Sequence, residues 1–324
     1  MIRQLKFLVG GALALLGLLS ACSSSTLTVP PPPSMATATP TLSLPAMTVP
    51  NEETVTPEMT PTPEPLAALV NGEAITLADF ERQVASYEAT MSASGQDFST
   101  TEGQTALAEA RKWVLDMRIE LLLINQAAAR EGVVVSDADV EAAITSLVND
   151  IGQAALEERL SQEGLTLDQM HQDLHQEMTA SRMIEHMIAA VPTRAEHINA
   201  RHILLATQAE AEQVLAQLRA GADFAALAQR YSQDTYTRDR GGDLGYVPRG
   251  ILTAPEVETA AFSLQSGQIS DVVHSALGYH IVQVVDRVPD QEISAENLRL
   301  LRDRFVREWL DGLRQQADIE VFIP

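Results

Sequence analysis

Prolines decide where this chain can fold. Pro30 to Pro33 stand in a row, and Pro40, Pro45, Pro50, Pro57, Pro61, Pro63 and Pro65 follow among Thr, Ser, Ala and a few Glu. Each proline removes a backbone donor and biases its neighbour toward extended polyproline II backbone, so no packed core can form across residues 22–65. That stretch reads as a semi-rigid tether, and the folded part starts near Leu66. Upstream, Arg3 and Lys6 precede an apolar run from Phe7 to Leu19, and Leu19-Ser20-Ala21-Cys22 follows. A basic start, an apolar middle and small residues before a cut site describe an export signal over residues 1–21. The apolar run is shorter than the roughly 20 residues that span a bilayer.

Leu-Ser-Ala-Cys resembles the bacterial lipobox, which implies that Cys22 is acylated and becomes the mature N-terminus. Cys22 is the only cysteine, so the mature domains would hold no thiol for a disulfide or a metal site. The formal charge of −22 comes from 44 acidic against 22 basic residues. Phosphate backbones select for clustered positive charge, so nucleic acid is not an expected partner. The acidity fits a soluble surface instead.

Past Leu66 the pattern divides. Ala67-Ala68-Leu69-Val70 with Asn71-Gly72 reads as a short strand and a tight turn. Thr76 caps a helix carrying Leu77, Phe80, Val84, Tyr87 and Met91 at helical spacing. A long helix is expected from about Gln104 to Glu131, ended by Gly132, then one opened by Ser136. Thr166 with Gln169 makes a capping-box start for a last helix, which Pro192 stops. Residues 66–195 therefore read as a helical domain with one small strand.

Residues 196–289 alternate differently. Ala200 to Leu205 and Gly278 to Val285 are strand-like. Between them lie a helix capped by Thr207 and Glu210, a short helix from Phe224 to Tyr231, the glycine-rich run Gly241-Gly242-Asp243-Leu244-Gly245, and a helix around Val257 to Phe262. This is the order of a compact α+β domain. From residue 290 to 324 a helical stripe returns with Leu298, Leu301, Phe305, Trp309, Leu310 and Leu313, then a strand Ile319 to Phe322.

Five blocks of the middle segment resemble the parvulin family in order: Ala200-Arg201-His202-Ile203-Leu204-Leu205, Ala222-Asp223-Phe224 through Asp234, Gly241-Gly242-Asp243-Leu244-Gly245-Tyr246, Ala261-Phe262-Ser263-Leu264, and Gly278-Tyr279-His280-Ile281-Val282. The flanks resemble the SurA/PrsA family of export foldases. The resemblance implies an α+β fold in which a parvulin-like domain, an antiparallel sheet with helices, is inserted between the N- and C-terminal parts of a mostly helical chaperone domain. It implies peptidyl-prolyl cis-trans isomerisation of X-Pro bonds in unfolded exported polypeptides, on an extracytoplasmic, lipid-anchored protein of a bacterial envelope. A holdase with a catalytically silent parvulin domain is the alternative.

By the same resemblance His202 and His280 are paired imidazoles under the substrate, with Asp234 and Ser275 completing the catalytic set. Asp234 falls where the family places Asp or Cys. Leu244, Leu252, Val257 and Phe262 are the candidates for the slot that takes the proline ring. Val257 stands where an aromatic is common, and one residue is inserted between Leu252 and Phe262. Plainer roles exist for the same residues: the histidines as a brace within the sheet, Asp234 as a loop cap, Asp243 and its glycines as a turn. His171 and His175, four apart on a helix, lack a third ligand nearby, so a solvated helix face is their simpler reading. Isomerisation breaks no bond, so it calls for no nucleophile, metal or cofactor. It needs a setting that favours the twisted amide over the planar one.

Overall fold

The computed structural model describes residues 64–323. The expected export signal, Cys22 and most of the expected tether lie outside that range. Two sheets and two groups of helices make up the described chain. Strand β1 (Leu66–Val70) turns through Asn71 and Gly72 into β2 (Glu73–Thr76). Helices α1 (Leu77–Ala93), α2 (Thr101–Glu131), α3 (Asp137–Ile151), α4 (Gln153–Glu163) and α5 (Leu167–Ala189) follow. Local chemistry explains their ends. The Thr76 hydroxyl accepts from the Asp79 N–H, Ser136/Asp139 and Thr166/Gln169 form capping boxes, and Gly132 closes α2 in the left-handed region. No helix among the described residues is long and apolar enough to cross a membrane.

The chain then builds a four-stranded antiparallel sheet from β3 (Arg194–Leu205), β4 (Asp243–Pro248), β5 (Val273–Ser275) and β6 (Gly278–Glu292), in the order β4-β3-β6-β5. Helices α6 (Gln208–Arg219) and α7 (Phe224–Tyr231) cover one face, packing on Ile203, Leu205 and Ile281. Helix α8 (Pro255–Ser263) covers the other, packing on Ala200, Val282 and Val284. The strand period of two divides these residues between the faces.

Helix α9 (Ala295–Gln316) leaves the sheet and returns to the first helices, where Val306 and Leu310 are buried with Leu121, Ile124, Met183 and Ile184 of α2 and α5. Strand β7 (Ile319–Val321) then pairs antiparallel with β1. The first and last segments of the chain thus share one sheet and one core, and the parvulin-like domain is inserted between them.

Several features depart from the sequence reading: the segment 66–195 holds a second strand, β2, and an unexpected helix, α4, and the later sheet gains β5. Strands β3 and β6 run past their expected limits into Arg194 and Glu292, because their polar ends pair with each other away from the core. The glycine-rich run is more than a turn: Asp243 to Pro248 forms β4 along β3. Helix α2 starts at its Thr100 cap, before Gln104.

The shared core carries a prediction. Burying a Val or Leu side chain stabilises by roughly 1.5–3 kcal/mol, against a total stability of about 5–15 kcal/mol. Residues 66–192 without 290–324 lose Val306, Leu310 and the β7 pairing together. Calorimetry on that fragment should show no cooperative transition, and a sharp transition would contradict the shared core.

Candidate active site

The site follows from the register of one strand pair. His202 lies opposite Val282, and Leu204 opposite His280. Opposed residues share a face, so the two histidines are diagonal neighbours on the α8 side of the sheet. Their ring centroids are 5.6 Å apart and nearly parallel, at 21°. Both are buried, His280 to 1% exposure.

A buried imidazole must satisfy both nitrogens. His280 Nδ1 lies 3.4 Å from His202 Nδ1, and His280 Nε2 lies 2.8 Å from Ser275 Oγ. His202 Nε2 lies 2.7 Å from Asp234 Oδ2 and 3.1 Å from Thr237 Oγ1. With both rings neutral, one set of tautomers satisfies every contact. Ser275 donates to His280 Nε2, His280 Nδ1–H donates to His202 Nδ1, and His202 Nε2–H donates to Asp234. The chain has a single direction and ends on a carboxylate, which makes its last bond charge-assisted.

Both ends are fixed by backbone and loop. The Ser275 hydroxyl accepts from the Leu277 N–H at 3.1 Å. Asp234 accepts from Thr237 Oγ1 at 2.5 Å and from the Tyr236 N–H at 3.0 Å. The Ser232 hydroxyl accepts from the Leu204 N–H at 3.1 Å, tying the Asp234 loop to β3. Gly242 lets the glycine run pass close to His202: its φ is +81°, its carbonyl accepts from the His202 N–H at 2.9 Å, and a Cβ there would strike the His202 carbonyl oxygen.

Burial pushes the His280 ring down to about 4, with a second push from the neighbouring His202. Burial raises the Asp234 carboxyl, but the hydrogen bonds from Thr237, His202 and the Tyr236 backbone outweigh it and hold it below the ordinary carboxylate value.

All eight site residues named from sequence within the parvulin-like segment fall in this region. His202, Asp234, His280 and Ser275 form the hydrogen-bonded chain. Val257 and Phe262 are buried in the cluster on the same face, with Leu244 and Leu252 partly buried against it. The Arg249 guanidinium lies 4.1 Å from the Phe262 ring centroid and covers that side of the cluster. Thr237 and Arg249 were not anticipated as site residues. Thr237 could have been suspected as a hydroxyl three residues beyond Asp234, but no sequence pattern marks Arg249. On α5, His175 instead meets the Val135 carbonyl at 3.1 Å, and His171 faces Glu141 at 3.7 Å.

An antiparallel sheet with paired histidines beside a buried apolar cluster, inserted into a helical unit, is the architecture of a parvulin-type isomerase domain. Residues 186–286 match the PPIC-type PPIASE domain, and residues 53–184 match the SurA-like N-terminal domain. The Foldase protein PrsA of Caldanaerobacter subterraneus subsp. tengcongensis is 33% identical over 272 residues, covering 79% of this chain and 87% of that protein. Foldase protein PrsA 2 of Bacillus cereus is 48% identical over 90 residues, covering 28% of this chain and 31% of that protein. A crystal structure of peptidylprolyl isomerase (PrsA) from Bacillus anthracis is 28% identical, covers 62% of this chain and 94% of that chain, and gives a TM-score of 0.40. This chain belongs to the PrsA foldase family, and it carries a PPIC-type peptidyl-prolyl isomerase domain.

The lowered His280 value has a consequence for stability. The folded protein holds His280 neutral while the unfolded chain takes a proton near 6.5, so stability is full above pH 6.5 and falls as pH drops toward about 4. The Asp234 contribution is lost only below about 3.8, so the two windows separate. Denaturant midpoints should fall between pH 6.5 and 4.5 in the wild type and fall less in His280→Gln. Parallel curves for the two proteins would contradict a neutral His280.

Proposed function

We infer that this protein isomerises X-Pro bonds of unfolded polypeptides, and that it does so outside the cytoplasmic membrane, held by a lipid on Cys22. The observation that carries the catalytic reading is the unbroken chain Ser275–His280–His202–Asp234 on the sheet face that also bears the apolar cluster. Rotation about a prolyl bond costs the amide its resonance, and the uncatalysed step takes tens of seconds or longer. Losing resonance withdraws negative charge from the carbonyl oxygen, so a setting that keeps water off that oxygen favours the twisted form over the planar one.

In this reading Leu244, Leu252, Val257 and Phe262 take the proline ring. Val257 is smaller than the aromatic common at its position, and it is buried in the cluster. The two imidazoles form a closed polar floor: each nitrogen is already paired within the protein, so the histidines neither attack the substrate nor leave it a charge to solvate. Asp234 holds His202 in the tautomer that accepts from His280, and Ser275 does the same for His280 from the other end. Clients are unfolded, proline-containing chains, which the helical unit of residues 66–195 and 290–324 would hold while residues 196–289 act on them. Residues 22–65 give the reach between membrane and client.

The edge of the site bears on the residue before proline. The loop after β3, Ala206-Thr207-Gln208-Ala209-Glu210, has no basic residue. Of the nearby cations, Arg238 pairs with Asp239 at 3.0 Å, Arg249 lies on Phe262, and Arg240 meets only the Tyr236 carbonyl at 3.5 Å, which leaves single cations apart from a cluster. A phosphate carrying about −1.5 to −2 charges finds no free cluster there.

Peptides with an apolar or uncharged residue before proline should be isomerised, with a clear loss for Glu or phosphoserine at that position. His280→Ala should lower kcat/KM by about one to two orders of magnitude, since it leaves His202 Nδ1 buried and unpaired at roughly 1–3 kcal/mol. Asp234→Ala should lower it less, since Thr237 Oγ1 still meets His202 Nε2. Wild-type activity in both variants would favour the holdase alternative, and a higher kcat/KM for the phosphorylated peptide would overturn the specificity.

The anchor has its own test. Cys22→Ala should release the protein from the membrane fraction or leave its signal uncleaved, and normal processing and retention would refute the lipid.

A further inference from the structure

The loop between β4 and α8 carries Leu252 into the slot cluster, and one carboxylate holds it. Glu258 Oε1, in the first turn of α8, accepts from three consecutive amides: Gly250 N–H at 2.7 Å, Ile251 N–H at 3.1 Å and Leu252 N–H at 3.3 Å. Helix α8 has no capping side chain at Ala254, so Glu258 serves the loop in front of the helix and not the helix start. The same loop is held from outside the parvulin-like domain. Arg304 of α9 donates through Nη1 to the Gly250 carbonyl at 3.2 Å. Gly250 has a φ of +94°, and a Cβ on it would lie 2.6 Å from Leu301 Cδ2, also on α9. Glycine at this position lets α9 approach the backbone so closely.

These contacts converge on one peptide group. The Gly250 carbonyl and the Ile251 N–H belong to the same amide plane. A cation donates to its oxygen and a carboxylate accepts from its nitrogen. Each bond is charge-assisted, and polarising the peptide from one side strengthens the bond on the other. Helix α9 is in turn packed into the core of the helical unit through Val306 and Leu310. A rigid path therefore runs from that core, through Arg304 and one peptide, to Glu258 and the loop bearing Leu252.

We propose that Glu258 is a positioning residue for the proline slot and that Arg304 sets the same loop from the helical unit, so that the slot answers to the position of α9. The proposal rests on the isomerase reading above, since it assigns Leu252 to the slot. It deepens that reading by making the helical unit a partner in forming the substrate site. Slot contacts bind planar and twisted substrate alike, so loosening the loop should appear in KM and leave kcat near its wild-type value.

The test uses the full chain, a proline tetrapeptide with an uncharged residue before proline, and hydrogen exchange at the Gly250 to Leu252 amides. Glu258→Gln and Arg304→Gln should each raise KM about three- to tenfold, the scale of one ordinary hydrogen bond's net contribution, with kcat near wild type and faster exchange at those amides. Because both act on one peptide, the double variant should cost less than the product of the singles. Glu308→Gln breaks the 2.7 Å pair that Arg304 makes along α9 but leaves the Gly250 contact, and it should change neither readout. Should Glu258→Gln not fold, Arg304→Gln carries the test, its side chain being 43% exposed. Wild-type KM together with wild-type exchange in Arg304→Gln would overturn the proposal, as would fully multiplicative effects in the double variant. If the wild-type chain isomerises nothing, the isomerase reading falls, and the exchange data alone decide whether Arg304 holds the loop.

Discussion

The antiparallel pairing of β3 with β6 is the interaction on which the rest depends. Its register places His202 and His280 diagonally on one face. Its far end brings the entry at Arg194 beside the exit at Glu292, so the chain leaves the helical unit and returns to it through one two-stranded neck. Ion pairs flank that neck, Arg194 to Asp290 at 3.0 Å and Arg287 to Glu196 at 2.7 Å. Arg194 and Asp290 are largely exposed, so their pair adds little energy and serves alignment more than stability. A shift of one residue would turn every side chain of a strand to the other face. A shift of β3 would part the histidines and pull Ile203 out of the α6 and α7 cluster, so the core that stabilises the sheet also enforces the site.

The polar groups around the two histidines are arranged so that each has a partner within the protein. A hydroxyl, two imidazoles and a carboxylate pair with one another in one direction, and neighbouring amides hold both ends of the series. Such a series costs little when complete and a good deal when broken, because an unpaired polar group in a low-dielectric interior loses water without replacement. Burial holds the His280 ring well below its ordinary value, so at neutral pH it adds no charge to that face of the sheet.

Much of this could be read in the sequence, and the limits have physical causes. Helix starts were legible because capping is local: Thr166 with Gln169 and Thr207 with Glu210 act within three residues, and both form capping boxes. The histidines, Asp234 and Ser275 were legible only through resemblance to a family, since a histidine on a strand has no periodic signature of its own. The outer ends of β3 and β6 were missed because a solvated neck shows no apolar alternation. Thr237 and Glu258 act through contacts set by loops, with Glu258 bonding amides six to eight residues away. No pattern in composition or spacing records such a contact.

The central claim is that a directional imidazole pair with a neutral His280 underlies the site, and nitrogen-15 NMR of the histidine side chains at pH 7 tests it most directly. The account predicts His280 protonated at Nδ1 and bare at Nε2, His202 protonated at Nε2 and bare at Nδ1, and a scalar coupling across the Nδ1–Nδ1 hydrogen bond. An imidazolium His280, or a His280 carrying its proton on Nε2, would contradict it.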